Sequence, residues 1–97
     1  MKIHEHLILI LMEEATEVAQ AASKVLRFGP NDLHDGRTNA ERLKIEFNDL
    51  LAIIIMINNH CDLDIVRDEE LLLQKTSRLN SIMNYSKRQG FIDVDID

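Results

Sequence analysis

Four acidic residues stand at spacings that could gather a metal ion: Glu14 and Glu17, then Glu46 and Asp49. Residues three apart on an α-helix share a face, with about 5–6 Å between their Cβ atoms. On a helical wheel Glu14 and Glu17 fall inside the apolar stripe formed by Ile3, Leu7, Ile10, Ala21, Val25 and Phe28. A polar back carrying Glu5, Thr16, Gln20, Ser23 and Arg27 was available to them. Acids are rarely buried without a partner, so a cation is expected to meet this pair. Glu46 and Asp49 repeat the anomaly, in a row with Arg42 and Ile53. An ordinary exposed acidic patch is the plain alternative for either pair alone.

Two such pairs on consecutive antiparallel helices can face each other. An all-oxygen donor set favours Mg²⁺ or Mn²⁺ over Zn²⁺. A di-iron carboxylate site needs Glu-x-x-His on two helices, but Glu17 and Asp49 occupy the histidine positions. An EF-hand beginning at Asp62 also fails, with Arg67 at the glycine position and Leu73 at the bidentate glutamate position.

Cations follow further along the chain. Lys75 and Arg78 lie in a row with Leu71, Ile82 and Tyr85 and could hold phosphate oxygens, Arg through its planar fork and Lys as a point charge. Lys24 and Arg27 invite the same reading, although they also suit a helix C-terminus. Phe28, Phe47 and Tyr85 could stack on a base, and His34 could touch a substrate; core packing and a solvated loop are the competing roles.

Three helices must position these groups. The first is expected over Ile3–Phe28, stopped by Gly29-Pro30. Residues 29–37 read as an irregular loop. The second runs over 38–60, opened by a capping box at Thr38-Asn39-Ala40-Glu41. The third is expected over 67–88, with Asp68, Glu69 and Glu70 in its first turn, Lys87 and Arg88 in its last, and Gly90 ending it. The tail 91–97 alternates apolar and acidic residues, so it reads as a short extended segment or a frayed end. The expected organisation is one helical domain, 1–90, and a C-terminal tail, 91–97.

The fold class is therefore all-α, a bundle of three main helices with room for a short fourth. Residues 50–57 are apolar all round the helix, which one inward face does not account for. Short helices or a second subunit must cover them, and a homo-oligomer is the expectation. That run of eight falls short of the roughly 18 residues a membrane helix needs. The N-terminus lacks a signal-peptide pattern, so a cytoplasmic location is expected, with no membrane partner. Cys61 stands alone, which excludes an internal disulfide and a CxxC metal site. Seventeen acids against eleven Lys and Arg give a net charge of −6, the wrong balance for a nucleic-acid polymer.

The stretch Glu13-Glu14-Ala15-Thr16-Glu17, then 28 residues, then Glu46-Phe47-Asn48-Asp49, resembles the E-E-x-x-E … E-x-x-D signature of the MazG-like, all-α nucleoside triphosphate pyrophosphohydrolases. Residues 12–29 and 43–53 look like the small, phage-type members, for which the location would be the host cytoplasm. The resemblance spans about residues 7–57, with an echo in Lys75-x-x-Arg78. It implies a helical core completed by a homodimer or homotetramer. It also implies Mg²⁺ held by Glu14, Glu17, Glu46 and Asp49, and cleavage of an NTP or dNTP between the α and β phosphates. Glu13 matches the extra leading acid and would assist a second metal or orient water. Lys75, Arg78 and Lys24 would hold phosphates. The phosphoribosyl-ATP pyrophosphohydrolases carry a similar E-E-A-T-E stretch and are the second choice within the fold. A non-catalytic helical module binding a structural ion is the reading from another class.

Overall fold

The computed structural model describes residues 1–93, so residues 94–97 of the alternating tail lie outside the described residues. The chain is all-α, with three main helices. It divides into two compact units, Met1–Ile65 and Val66–Asp97.

The first unit is a helical hairpin. Helix α1 spans Ile3–Phe28, as the spacing predicts. The Glu5 carboxylate accepts from the Lys2 backbone N–H (3.1 Å), which satisfies one of the free donors of the first turn. Gly29 closes the helix at φ 88°, a conformation that strains any residue with a Cβ, while its N–H donates to the Val25 carbonyl at 2.9 Å.

Residues 29–37 are more ordered than an irregular loop. Strands β1 (Leu33–His34) and β2 (Arg37–Thr38) pair antiparallel, Leu33 with Thr38 and His34 with Arg37. Asp35 (φ 53°) and Gly36 (φ 80°) form the two-residue connection between them. Positive φ at both central positions is what a type I′ turn requires, and Asp-Gly is among its preferred sequences. Helix α2, Asn39–His60, follows directly. The Thr38 hydroxyl accepts from the Glu41 N–H at 3.0 Å, the half of the expected capping box that the structure contains.

Contacts pair the start of α1 with the end of α2. Ile57 is fully buried and joins Leu7 and Ile53 in the core, with Ile8, Ile10, Leu11, Leu50 and Cys61 packed against them. Cys61 thus behaves as a partly buried apolar residue. Ile3 and Phe28, assigned to the apolar stripe by periodicity, are more than half exposed, because a hairpin's ends have fewer neighbours than its middle. Of the run 50–57, Leu51, Ile55 and Met56 remain exposed. Asn58 ties off the unit: its Nδ2 donates to the Ile65 carbonyl and its Oδ1 accepts from the Ile65 N–H (2.7 Å).

The second unit is built on α3, Glu69–Arg88. Asp68 is its N-cap rather than a first-turn residue, its carboxylate accepting from the Leu71 N–H at 3.0 Å; the helix therefore starts two residues later than expected. At the other end Gly90 (φ 75°) allows the Phe91 N–H to reach the Ser86 carbonyl and its own N–H to reach Lys87, a Schellman motif. The Tyr85 and Phe91 rings meet edge to face at 6.4 Å, the apolar contact that accompanies such a cap. Among the described residues no helix is long and apolar enough to cross a membrane.

Candidate metal centre

The i, i+3 spacing on α1 and α2, together with the antiparallel pairing, brings the carboxylates together. One oxygen each from Glu14, Glu17 and Glu46 lie within 4.8 Å of one another. Asp49 stands outside that set, though its charge acts on both Glu14 and Glu46. It faces Glu46 one turn on, and its side chain is one methylene shorter. The burial expected of all four holds in part: Glu14 and Glu46 are half-buried, whereas Glu17 and Asp49 are exposed.

Two oxygens carry the strongest signal. Glu14 Oε2 and Glu46 Oε2 are inaccessible to solvent and have no hydrogen-bond partner among the described residues. Desolvation pushes the Glu14 carboxyl above its ordinary value of 4.5, and the nearby charges of Glu17 and Asp49 push it further. Glu46 is raised likewise, by desolvation first, then by the neighbouring Glu17 carboxyl and by Asp49; the Lys24 ammonium opposes the shift. Crowded, desolvated carboxylates are a costly arrangement without a cation and a favourable one around it. The donor set is all oxygen, so it fits a hard divalent ion.

A cleft of about 280 Å³ opens beside the cluster, lined chiefly by Glu17, Glu46, Lys24, Arg42, Asn39 and Gln20. Lys24, a phosphate candidate from its sequence position, thus borders the carboxylates. Glu13 is exposed and borders a separate groove with Met12, Thr16 and Glu17. Phe28 is exposed, with the Arg27 guanidinium 5.0 Å from its ring centre, so one face of the ring is covered. Lys75, Arg78 and Tyr85 belong to the second unit, where all three are exposed.

Arg42 and Asn39 are the residues that sequence spacing did not assign to the site. Asn39 is the one buried polar residue among those described; its Nδ2 donates to the Gly29 carbonyl at 2.9 Å, across the base of the hairpin. Arg42 Nη2 donates to the His34 carbonyl on β1. The Asp35-Gly36 dipeptide was the available signal for Arg42, since the hairpin it forms carries His34 to it. Compared with family models, with curated proteins and with solved structures, the chain finds no match in any of the three.

Proposed function

We propose that this chain is a divalent-metal-dependent nucleoside triphosphate pyrophosphohydrolase. It would cleave an NTP or dNTP between the α and β phosphates to yield a nucleoside monophosphate and pyrophosphate. The observation that carries the reading is the convergence of Glu14, Glu17 and Glu46 within 4.8 Å, with two buried oxygens lacking partners. The E-E-x-x-E … E-x-x-D resemblance supplies the reaction.

In this reading Glu14, Glu17 and Glu46 hold Mg²⁺ or Mn²⁺, with Asp49 adding charge at the rim. The bound ion would offset the carboxylates, bridge to phosphate oxygens and acidify a water. Glu13, exposed beside Glu17, orients water or assists a second ion. Lys24 lies where a phosphate oxygen would enter the cleft. On α3, Lys75 and Arg78 offer two exposed cations to phosphate. Exposed apolar residues on both hairpin helices, Met12, Leu51, Ile55 and Met56 among them, support a homo-oligomer, and the cytoplasm is the setting the resemblance implies.

A panel of NTPs and dNTPs with Mg²⁺ tests the reading, with products resolved as pyrophosphate or orthophosphate. Release of pyrophosphate, lost in Glu17→Gln and Asp49→Asn proteins that remain folded, is the expected result. Absence of hydrolysis with every nucleotide, alongside metal-dependent stability, would favour the non-catalytic module.

A further inference from the structure

We propose that Arg42 is the anion-binding residue of the cleft beside the carboxylates, taking a phosphate oxygen of a polyphosphate, and that the β1–β2 hairpin positions it for this task. The inference rests on the function proposed above and goes beyond it, because neither the acidic motif nor its spacing assigns Arg42.

Arg42 stands one helical turn before Glu46 on α2 and lines the same cleft as Glu17 and Glu46. Yet among the described residues its guanidinium joins no ion pair. One end, Nη2, is fixed by the His34 carbonyl. Its Nε is buried and has no hydrogen-bond partner among the described residues. A guanidinium is a rigid planar fork, so fixing one nitrogen fixes the direction of the others. The result is a cation fixed beside acids with which it forms no ion pair, its other terminal nitrogen making no hydrogen bond among the described residues. Lys24 also joins no ion pair among the described residues, but no hydrogen bond fixes its exposed ammonium. Arg42 is the anchored cation of the cleft.

Charge determines what it would hold. The cleft carries two carboxylates, Glu17 and Glu46, against two cations, Lys24 and Arg42, and Glu14 and Asp49 stand close by. A divalent ion on the carboxylates would bring the four acids and two cations to neutrality and remove the repulsion an anion would otherwise meet. Phosphate oxygens match the arginine fork through charge-assisted hydrogen bonds. The hairpin is part of the device because His34 sits in register with Arg37 across the Asp35-Gly36 turn, which sets where its carbonyl points.

The test uses inorganic tripolyphosphate, which carries no base, titrated calorimetrically into the full chain in excess Mg²⁺. Arg42→Gln should weaken binding by about tenfold to a hundredfold, the value of a hydrogen bond to a charged group. Lys44→Gln, the same charge change on an exposed position of the same helix, should leave it unaltered. Arg42→Lys should restore part of the loss. Mg²⁺ affinity without tripolyphosphate should survive in Arg42→Gln, which a merely structural role for Arg42 would not predict. Gly36→Ala should weaken tripolyphosphate in the wild type and add nothing further in Arg42→Gln. Unchanged affinity in Arg42→Gln overturns the inference, as does a wild type that binds no tripolyphosphate. If Arg42→Gln proves unfolded by melting, Arg42→Lys decides alone, and affinity equal to wild type sinks the proposal. Arg42-dependent binding without hydrolysis of any nucleotide would uphold the inference and remove the pyrophosphohydrolase reading.

Discussion

The two halves of the α1–α2 hairpin bury opposite kinds of side chain in one continuous interface. Toward the N-terminus of α1, Leu7 meets Ile53 and Ile57, and Ile57 is fully enclosed. Two turns further along α1, Glu14 meets Glu46, and each hides an oxygen without a partner. The apolar half gains from removing surface from water. The acidic half gives up hydration and sets like charges against one another. A hairpin selected for stability alone would continue the isoleucines. The difference teaches that one half holds the other in an arrangement it would not adopt by itself.

The largest effect that would break this comparison lies in the acidic half. Glu46→Gln should lower pyrophosphate release by about a hundredfold or more, since even outer partners of a metal site cost 10–100-fold when lost. The same change should leave the helical circular dichroism intact and raise the melting temperature of the metal-free protein. In the apolar half Ile57→Ala should do the reverse, costing about 2–5 kcal/mol of stability in chemical denaturation through the cavity it leaves. An Ile57→Ala protein that keeps its stability would mean the two halves do not divide the labour this way.

A pH titration sharpens the contrast. Glu14 and Glu46 have carboxyl pKa values above the ordinary 4.5 in the folded protein. Over that interval the folded state binds more protons than the unfolded one, so stability falls as pH rises. Metal-free protein should therefore melt at progressively lower temperature from about pH 4.5 upward, through the raised values. Saturating Mg²⁺ should lift the melting temperature at neutral pH by mass action on the folded state and flatten the fall. The double variant Glu14→Gln/Glu46→Gln should flatten it without metal. A stability that rises with pH in the presence of a chelator would reverse the assignment. The smallest effect expected is that of Thr38→Ala, about 1 kcal/mol for a lost N-cap, read in denaturant and shared by both halves because it loosens α2 as a whole.

Much of this arrangement was legible in the residues. Period and caps placed α1 and α2, and the repeated i, i+3 acids located Glu14, Glu17 and Glu46 because helical geometry is local. What stayed hidden depended on the chain folding back. Asp35-Gly36 signals a tight hairpin only when flanking residues pair, and each strand is two residues long, too short to show alternation. Arg42 was visible in the acidic row, but its anchor, the His34 carbonyl, is set by that hairpin. Asp68 looked like a first-turn acid because an N-cap and a first-turn position are adjacent in sequence; only the bond to Leu71 separates them. Asp49 shares the face of Glu46, and only in three dimensions does it fall outside the cluster.

The junction at the base of the hairpin has a mechanical consequence. Asn39 clasps the Gly29 carbonyl, while the backbone N–H groups of Asn39 and Ala40 donate to the carbonyls of Asp32 and Pro30 (3.2 and 3.0 Å). That clasp is the pivot at one end of helix α1, as the apolar core holds the other. Glu14 lies about 22 Å along α1 from Gly29 at 1.5 Å per residue. A tilt of about 3° at the pivot would swing the Glu14 backbone by roughly 1 Å over that arm. Displacements of that size are enough to cost catalysis heavily. An amide about four turns away thus shares with the apolar core in aligning the carboxylates, and Asn39→Ala should detune the acids without touching one of them.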